Sequence, residues 1–154
     1  MEIAELIAIR QLEVKGQFDC KLLSPGAAYS VSFRLKVPES GIIRNFRRRA
    51  CGWNRKPVKF SITTPCGDHQ IYARYLSDMN KPVETEGYQM APFRHVEEGW
   101  MEFDAGRFVA EEKGDNPGSV KFCMRGWEGG NWKGVLLLEG VKILPNSLVR
   151  ERAE

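Results

Sequence analysis

From Tyr29 to Val37 the chain alternates without a break. Tyr29, Val31, Phe33, Leu35 and Val37 are apolar, and Ser30, Ser32, Arg34 and Lys36 between them are polar. A helix would scatter the two sets around its circumference, whereas a strand sends successive side chains to opposite faces. Such a run demands a strand with one wet face and one dry face. The same period recurs in Val58, Phe60 and Ile62 against Lys59, Ser61 and Thr63, and in Ile71, Ala73 and Tyr75 against Tyr72 and Arg74. It returns in Val120, Phe122 and Met124 against Lys121, Cys123 and Arg125. With regular turn signals and no sustained helical period, the pattern predicts an all-β chain, an antiparallel β-sandwich of seven or eight strands.

Taken in order, Met1 to Arg10 reads either as a short helical turn or as the lead-in to a strand. Leu12 and Val14 alternate up to Gly16, and Gln17 to Leu23 is expected to pair across a turn at Ser24-Pro25-Gly26. A turn at Cys66-Gly67-Asp68 joins the runs around Phe60 and Ala73 into a hairpin. Ser77 to Glu98, with Pro82, Gly87 and Pro92, reads as a long loop or as one that hides an edge strand between Tyr88 and Phe93. From Gly99 to Pro145 three strands in sequence are expected to form a β-meander, and Asn146 to Glu154 reads as a charged tail.

Composition narrows the function classes. At 154 residues the chain is expected to be one domain, 1–154, able to bury roughly 70% of its extended surface without disulfide staples. Cys20, Cys51, Cys66 and Cys123 are widely spaced and include no Cys-x-x-Cys pair, and His69 and His95 are the only histidines, so no metal centre or cofactor is expected. The termini show no signal-peptide pattern and the chain no apolar run long enough to span a bilayer, so cytoplasmic residence is the expectation. Nucleophile-elbow, phosphate-loop and dinucleotide motifs are missing, and no pair of carboxyls is marked as a glycosidase dyad. The chain reads as a binding protein, not an enzyme.

Two blocks carry a resemblance to a known family. One runs from Gly99-Trp100-Met101-Glu102 through the strand at Val120 to Trp132-Lys133-Gly134 and the close at Ile143-Leu144-Pro145-Asn146; the other is Leu12-Glu13-Val14-Lys15-Gly16 followed by Tyr29 to Val37. On these residues the chain resembles the phloem protein 2 lectins, whose domain is also called the Nictaba domain, and within them the short cucurbit-type phloem exudate lectins. The resemblance implies a jelly-roll sandwich, a homodimer, residence in the phloem sap and a part in defence or wound response. It also implies binding of N-acetylglucosamine oligomers, whether chitooligosaccharides or the core of N-glycans on glycoproteins, and it places Trp100 and Trp132 at the core margin.

The family's proposed site uses tryptophans ahead of the first block and acidic residues where this sequence aligns Ser119 and Gly126, so the site is expected elsewhere. Sugars present an apolar C–H face and a ring of hydroxyls, and their sites combine an aromatic platform with a few carboxylate, amide or guanidinium groups. Arg125-Gly126-Trp127-Glu128-Gly129-Gly130-Asn131 supplies those types in one stretch, with Trp127 to stack and Glu128 and Asn131 to hydrogen-bond. Trp53 and Asn54 repeat the pairing on a second predicted loop. The alternative partner is RNA, met by Arg44, Arg47, Arg48 and Arg49 through phosphate contacts. A third reading is a filament subunit cross-linked through surface cysteines such as Cys20 or Cys51.

Overall fold

The computed structural model describes residues 4–6, 11–37, 42–43, 46–47, 57–76, 79–83, 87–110, 117–127 and 136–146. In chain order its strands are β1 (Ala4–Leu6), β2 (Gln11–Asp19), β3 (Ala28–Lys36), β4 (Ile42–Ile43), β5 (Phe46–Arg47) and β6 (Val58–Thr63). They continue with β7 (His69–Arg74), β8 (Gln89–Met90), β9 (Phe93–His95), β10 (Met101–Val109), β11 (Ser119–Trp127) and β12 (Leu136–Pro145). The first sheet has the order β1-β12-β3-β10-β9 and the second β2-β11-β6-β7-β8, with β4 and β5 forming a small hairpin apart. Every pairing is antiparallel except that of β7 with β8.

The strong alternation at Tyr29–Val37 is β3, at the centre of the first sheet; Tyr29, Val31, Phe33 and Leu35 are buried as the pattern requires, but Ser30 and Ser32 are buried as well, so the expected wet face is covered along half of the strand. The two sheets close on rings from both sides. Phe60 of β6 stacks on Phe103 of β10 with centroids 5.1 Å apart, and Phe33 of β3 meets Phe60 at 5.6 Å and Phe122 of β11 at 6.0 Å. Offset and edge-on contacts of this kind add to the area term that holds a sandwich together.

The expected meander does not form. Gly99 to Pro145 contains three strands, but β10 and β12 flank β3 in the first sheet, while β11 lies between β2 and β6 in the second. Alternation gave each strand an apolar side, and those sides meet across the core instead of within one sheet. From β10 to β11 to β12 the chain thus crosses from one layer to the other and back, as in a sandwich.

The expected pairing of Gln17–Leu23 with the strand after Ser24-Pro25-Gly26 is also overturned. β2 runs straight through Gly16 to Asp19 in the second sheet, Cys20–Leu22 makes a 3-10 turn, and β3 belongs to the first sheet. Gly16 is not a terminator. A Cβ there would lie 2.7 Å from Cζ of Phe122, so the missing side chain lets that ring lie against β2.

The hairpin across Cys66-Gly67-Asp68 is present as β6 and β7, closed by Thr64 N–H donating to the Asp68 carbonyl at 2.8 Å. Of the two readings of Ser77 to Glu98 the hidden edge strand holds: β8 and β9 lie there, each at the edge of a different sheet. His69 and His95 lie in β7 and β9. Met1 to Arg10 contributes β1, so the strand alternative holds there. Cys20 is buried, which removes it as a surface cross-linking thiol; Cys51 lies outside the described residues.

Candidate functional site

Of the residues singled out in the sequence, Trp53, Asn54, Glu128, Asn131, Trp132, Arg44, Arg48 and Arg49 lie outside the described residues. Arg47 belongs to β5, with its backbone opposite Ile42. Trp127 closes β11, its backbone opposite Gln11, two positions beyond Arg125. Trp100 is half-buried, as expected of a core-margin ring, and the Arg34 guanidinium lies 5.9 Å from its centre.

Arg125 is placed in full. Its Nε and Nη2 donate to Glu13 Oε2 at 3.1 and 2.9 Å, and Glu13 Oε1 faces Lys15 Nζ at 3.5 Å. The Arg125 guanidinium and the Lys15 ammonium hold the Glu13 carboxyl below its ordinary value. Arg125 also lies on the rim of a groove of about 600 Å³ over the outer surface of the second sheet.

Strand register dictates what lines that groove. Lys121 sits between Gln17 and Thr63, and Thr63 is opposite His69. In the next row Cys123 sits between Lys15 and Ser61, and Ser61 is opposite Ile71. In the third Arg125 sits between Glu13 and Lys59. Thr63 Oγ1 and His69 Nδ1 share a hydrogen bond of 3.0 Å, and the Lys59 ammonium lies 4.7 Å from the centre of the Tyr88 ring, which closes one side. Burial, the largest influence, pushes the Cys123 thiol above its ordinary value, which leaves it a weak nucleophile.

Apart from Arg125, the sequence reading passed over these side chains. They are the polar members of the runs that revealed the strands: Lys121, Cys123 and Arg125; Lys59, Ser61 and Thr63; Lys15 and Gln17. The available signal was the composition of those polar halves, basic and hydroxylic in β6 and β11, with Lys15 and the amide of Gln17 added from β2.

The outer surface of the first sheet is arranged differently. Glu102 is completely buried, in register between Arg34 of β3 and Arg94 of β9. Its carboxylate oxygens lie 2.6 Å from Arg94 Nη2, 3.1 Å from Lys142 Nζ and 4.0 Å from Arg34 Nη1. Arg34 further meets Glu139 at 2.5 Å and Glu97 at 3.4 Å, and Asp104 Oδ1 is 3.6 Å from Arg94 Nη1. Burial pushes the Glu102 carboxyl up, but the hydrogen bond and charge of Lys142 and the charge of Arg94 outweigh it and leave it below its ordinary value. At Asp104 burial wins over Arg94, and the carboxyl titrates above its ordinary value.

A family model described as "Phloem protein 2" matches residues 1–145. Among curated Arabidopsis thaliana proteins, the chain is 28% identical over 151 residues to "F-box protein PP2-A12", covering 94% of this chain and 44% of that protein. It is 29% identical over 156 residues to "F-box protein PP2-A15", covering 97% and 48%. It is 25% identical over 146 residues to "Protein PHLOEM PROTEIN 2-LIKE A2", covering 95% and 61%. The chain thus spans about half the length of the relatives it matches.

Proposed function

Because the chain belongs to the phloem protein 2 family, we propose that its sandwich is a carbohydrate-recognition module that binds N-acetylglucosamine oligomers in the phloem, without a metal. The observation that carries this reading is the open groove on the second sheet, lined by hydroxyl, amide and cationic side chains, with β11 running from it into Trp127. Thr63, Ser61 and Gln17 supply donors and acceptors of the kind sugar hydroxyls need. Trp127, Glu128 and Asn131 follow directly in sequence and supply the stacking ring and further polar groups, with Trp53 and Asn54 as the second aromatic and amide pair. Two of the relatives are F-box proteins longer than this chain, which supports a module that serves recognition within proteins of different build.

A calorimetric titration with chitotriose, repeated in chelator and at high salt, tests the reading. Saturable heat in all three conditions is the expected result, because neutral sugars are held by stacking and hydrogen bonds that salt screens little. Trp127→Ala should weaken binding about tenfold or more, since loss of a stacked ring costs on the order of 1–3 kcal/mol. Unchanged affinity in that variant would place the site elsewhere, and absence of heat with the parent protein would end the N-acetylglucosamine reading.

A further inference from the structure

The groove on the second sheet has an unbalanced charge. Four cations line it among the described residues: Lys15 and Arg125 share the Glu13 carboxylate and Lys59 is engaged over the Tyr88 ring, so the imbalance rests on two cations sharing one acid and on Lys121 beside them. Lys121 is exposed and forms no ion pair among the described residues. Neighbouring strands are about 4.8 Å apart and residues on one face of a strand about 6.7 Å apart. Lys121 and Arg125 therefore lie about 13 Å apart along β11, with Lys15 flanking the strand between them. Cations in such a row, interleaved with Ser61, Thr63, Gln17 and His69, suit a chain that carries several charges along its length with hydroxyls between them.

We infer that this groove binds an acidic oligosaccharide, one whose rings carry carboxylates, as uronic acid chains do. The inference rests on the carbohydrate reading for its ligand class and adds the charge that this class must carry. The protein already shows how the row accepts a carboxylate, because Glu13 sits against both Arg125 and Lys15 at one end. A ligand carboxylate meets the same chemistry at Lys121, which pairs with no acid among the described residues. A single-stranded nucleic acid fits less well. Such sites pair their cations with open stacking rings, whereas of the rings lining this groove Tyr88 is capped by the Lys59 ammonium, Phe122 packs edge-on against Phe33 in the core and the His69 imidazole is hydrogen-bonded to Thr63. The chain-wide surplus of +3 is also well short of the strongly basic footprint of a nucleic-acid domain.

The test uses the purified chain at low salt with a trimer of galacturonic acid, its methyl ester as the uncharged control, chitotriose and poly-uridine. Alkylation of Cys123, which lines the groove, reports occupancy, with the exposed Cys66 on the β6–β7 turn as internal reference. The acid trimer should bind and slow labelling of Cys123 but not of Cys66, and its ester should bind at least about tenfold more weakly. Lys121→Ala should weaken the acid trimer about three- to tenfold, whereas Lys36→Ala, the same charge change on the first sheet, should stay within about twofold. Equal binding of acid and ester, no protection of Cys123 at saturation, or an equal loss in Lys36→Ala would each overturn the inference. Tighter binding of poly-uridine with a steep salt slope would also overturn it and make the groove a nucleic-acid site. Chitotriose binding that leaves Cys123 unprotected, with no binding of the acid trimer, would sink this inference alone. Binding of the acid trimer without chitotriose would sink only the N-acetylglucosamine assignment.

Discussion

The two outer surfaces of the sandwich are built from the same material, the polar members of alternating strands, and they end in opposite states. On the first sheet Arg34, Arg94 and Lys142 face Glu97, Glu102, Asp104 and Glu139, three cations against four acids, locked in one network. On the second, among the described residues, Lys15 and Arg125 share Glu13 and Lys121 stands unpaired beside them around an open groove. A closed network that buries a carboxylate completely has spent its polar groups on itself. A basic surface with room above it still has groups to offer. The difference identifies the first surface as structural and the second as the place to look for a ligand.

The largest expected effect breaks the closed network. Glu102→Gln keeps the shape and removes the charge, leaving Arg34, Arg94 and Lys142 to face one another. Removing one partner of a buried ion cluster costs about 3–5 kcal/mol, and because these cations partly reach solvent the lower end applies, about 3 kcal/mol. For a chain of this size that is a fall of roughly 10 °C in melting temperature. A change of less than about 1 kcal/mol in urea unfolding would show that the cluster is not structural and dissolve the contrast.

Much of the sandwich was legible because burial on one side writes period two into the sequence, as in Tyr29–Val37 and Val58–Ile62. Strand partnership was not, since the same alternation serves either sheet. Nothing local tells β11 to pair with β2 and β6 instead of with β10. Gly16 misled for a related reason: a glycine that admits Phe122 looks, in sequence, like one that ends a strand. The groove was hidden by the same ambiguity. Lys121, Thr63 and His69 lie far apart in the chain and become neighbours only through register. Arg125 was found because it adjoins Trp127, whereas Lys15 and Lys59 read as ordinary solvent-facing partners of Val14 and Phe60.

A smaller effect separates the two carboxylates of the closed network by pH. Glu102 titrates below its ordinary 4.5 in the folded chain, so its contribution is complete above that value and is lost as pH falls from there through the native pKa. Asp104 titrates above its ordinary 3.8, so the folded state holds its proton more tightly and stability is lost as pH rises from 3.8 through the native pKa. The slopes oppose each other. Asp104→Asn removes the second slope: stability near neutral pH should rise by about 1 kcal/mol or less, and acidification should destabilise the variant more than the parent. Parallel curves of stability against pH for the two proteins would show that Asp104 carries no shifted proton.

The smallest expected effect on stability lies on the open surface, and its smallness is the informative part. Lys121→Ala removes an exposed cation that pairs with no acid among the described residues, so urea unfolding should move by no more than about 0.5 kcal/mol. Glu13→Gln removes the groove's acid and frees Arg125 and Lys15 together, and since Glu13 is exposed its melting temperature should stay close to the parent's. Its binding of the galacturonic acid trimer should strengthen, because two cations no longer share their charge with a protein carboxylate. The pair of variants thus moves affinity in opposite directions with stability held still, which no purely structural role for the groove would produce. If Glu13→Gln instead lowers the melting temperature as far as Glu102→Gln does, the cations of the second sheet are bound up in the fold, and the two surfaces are alike after all.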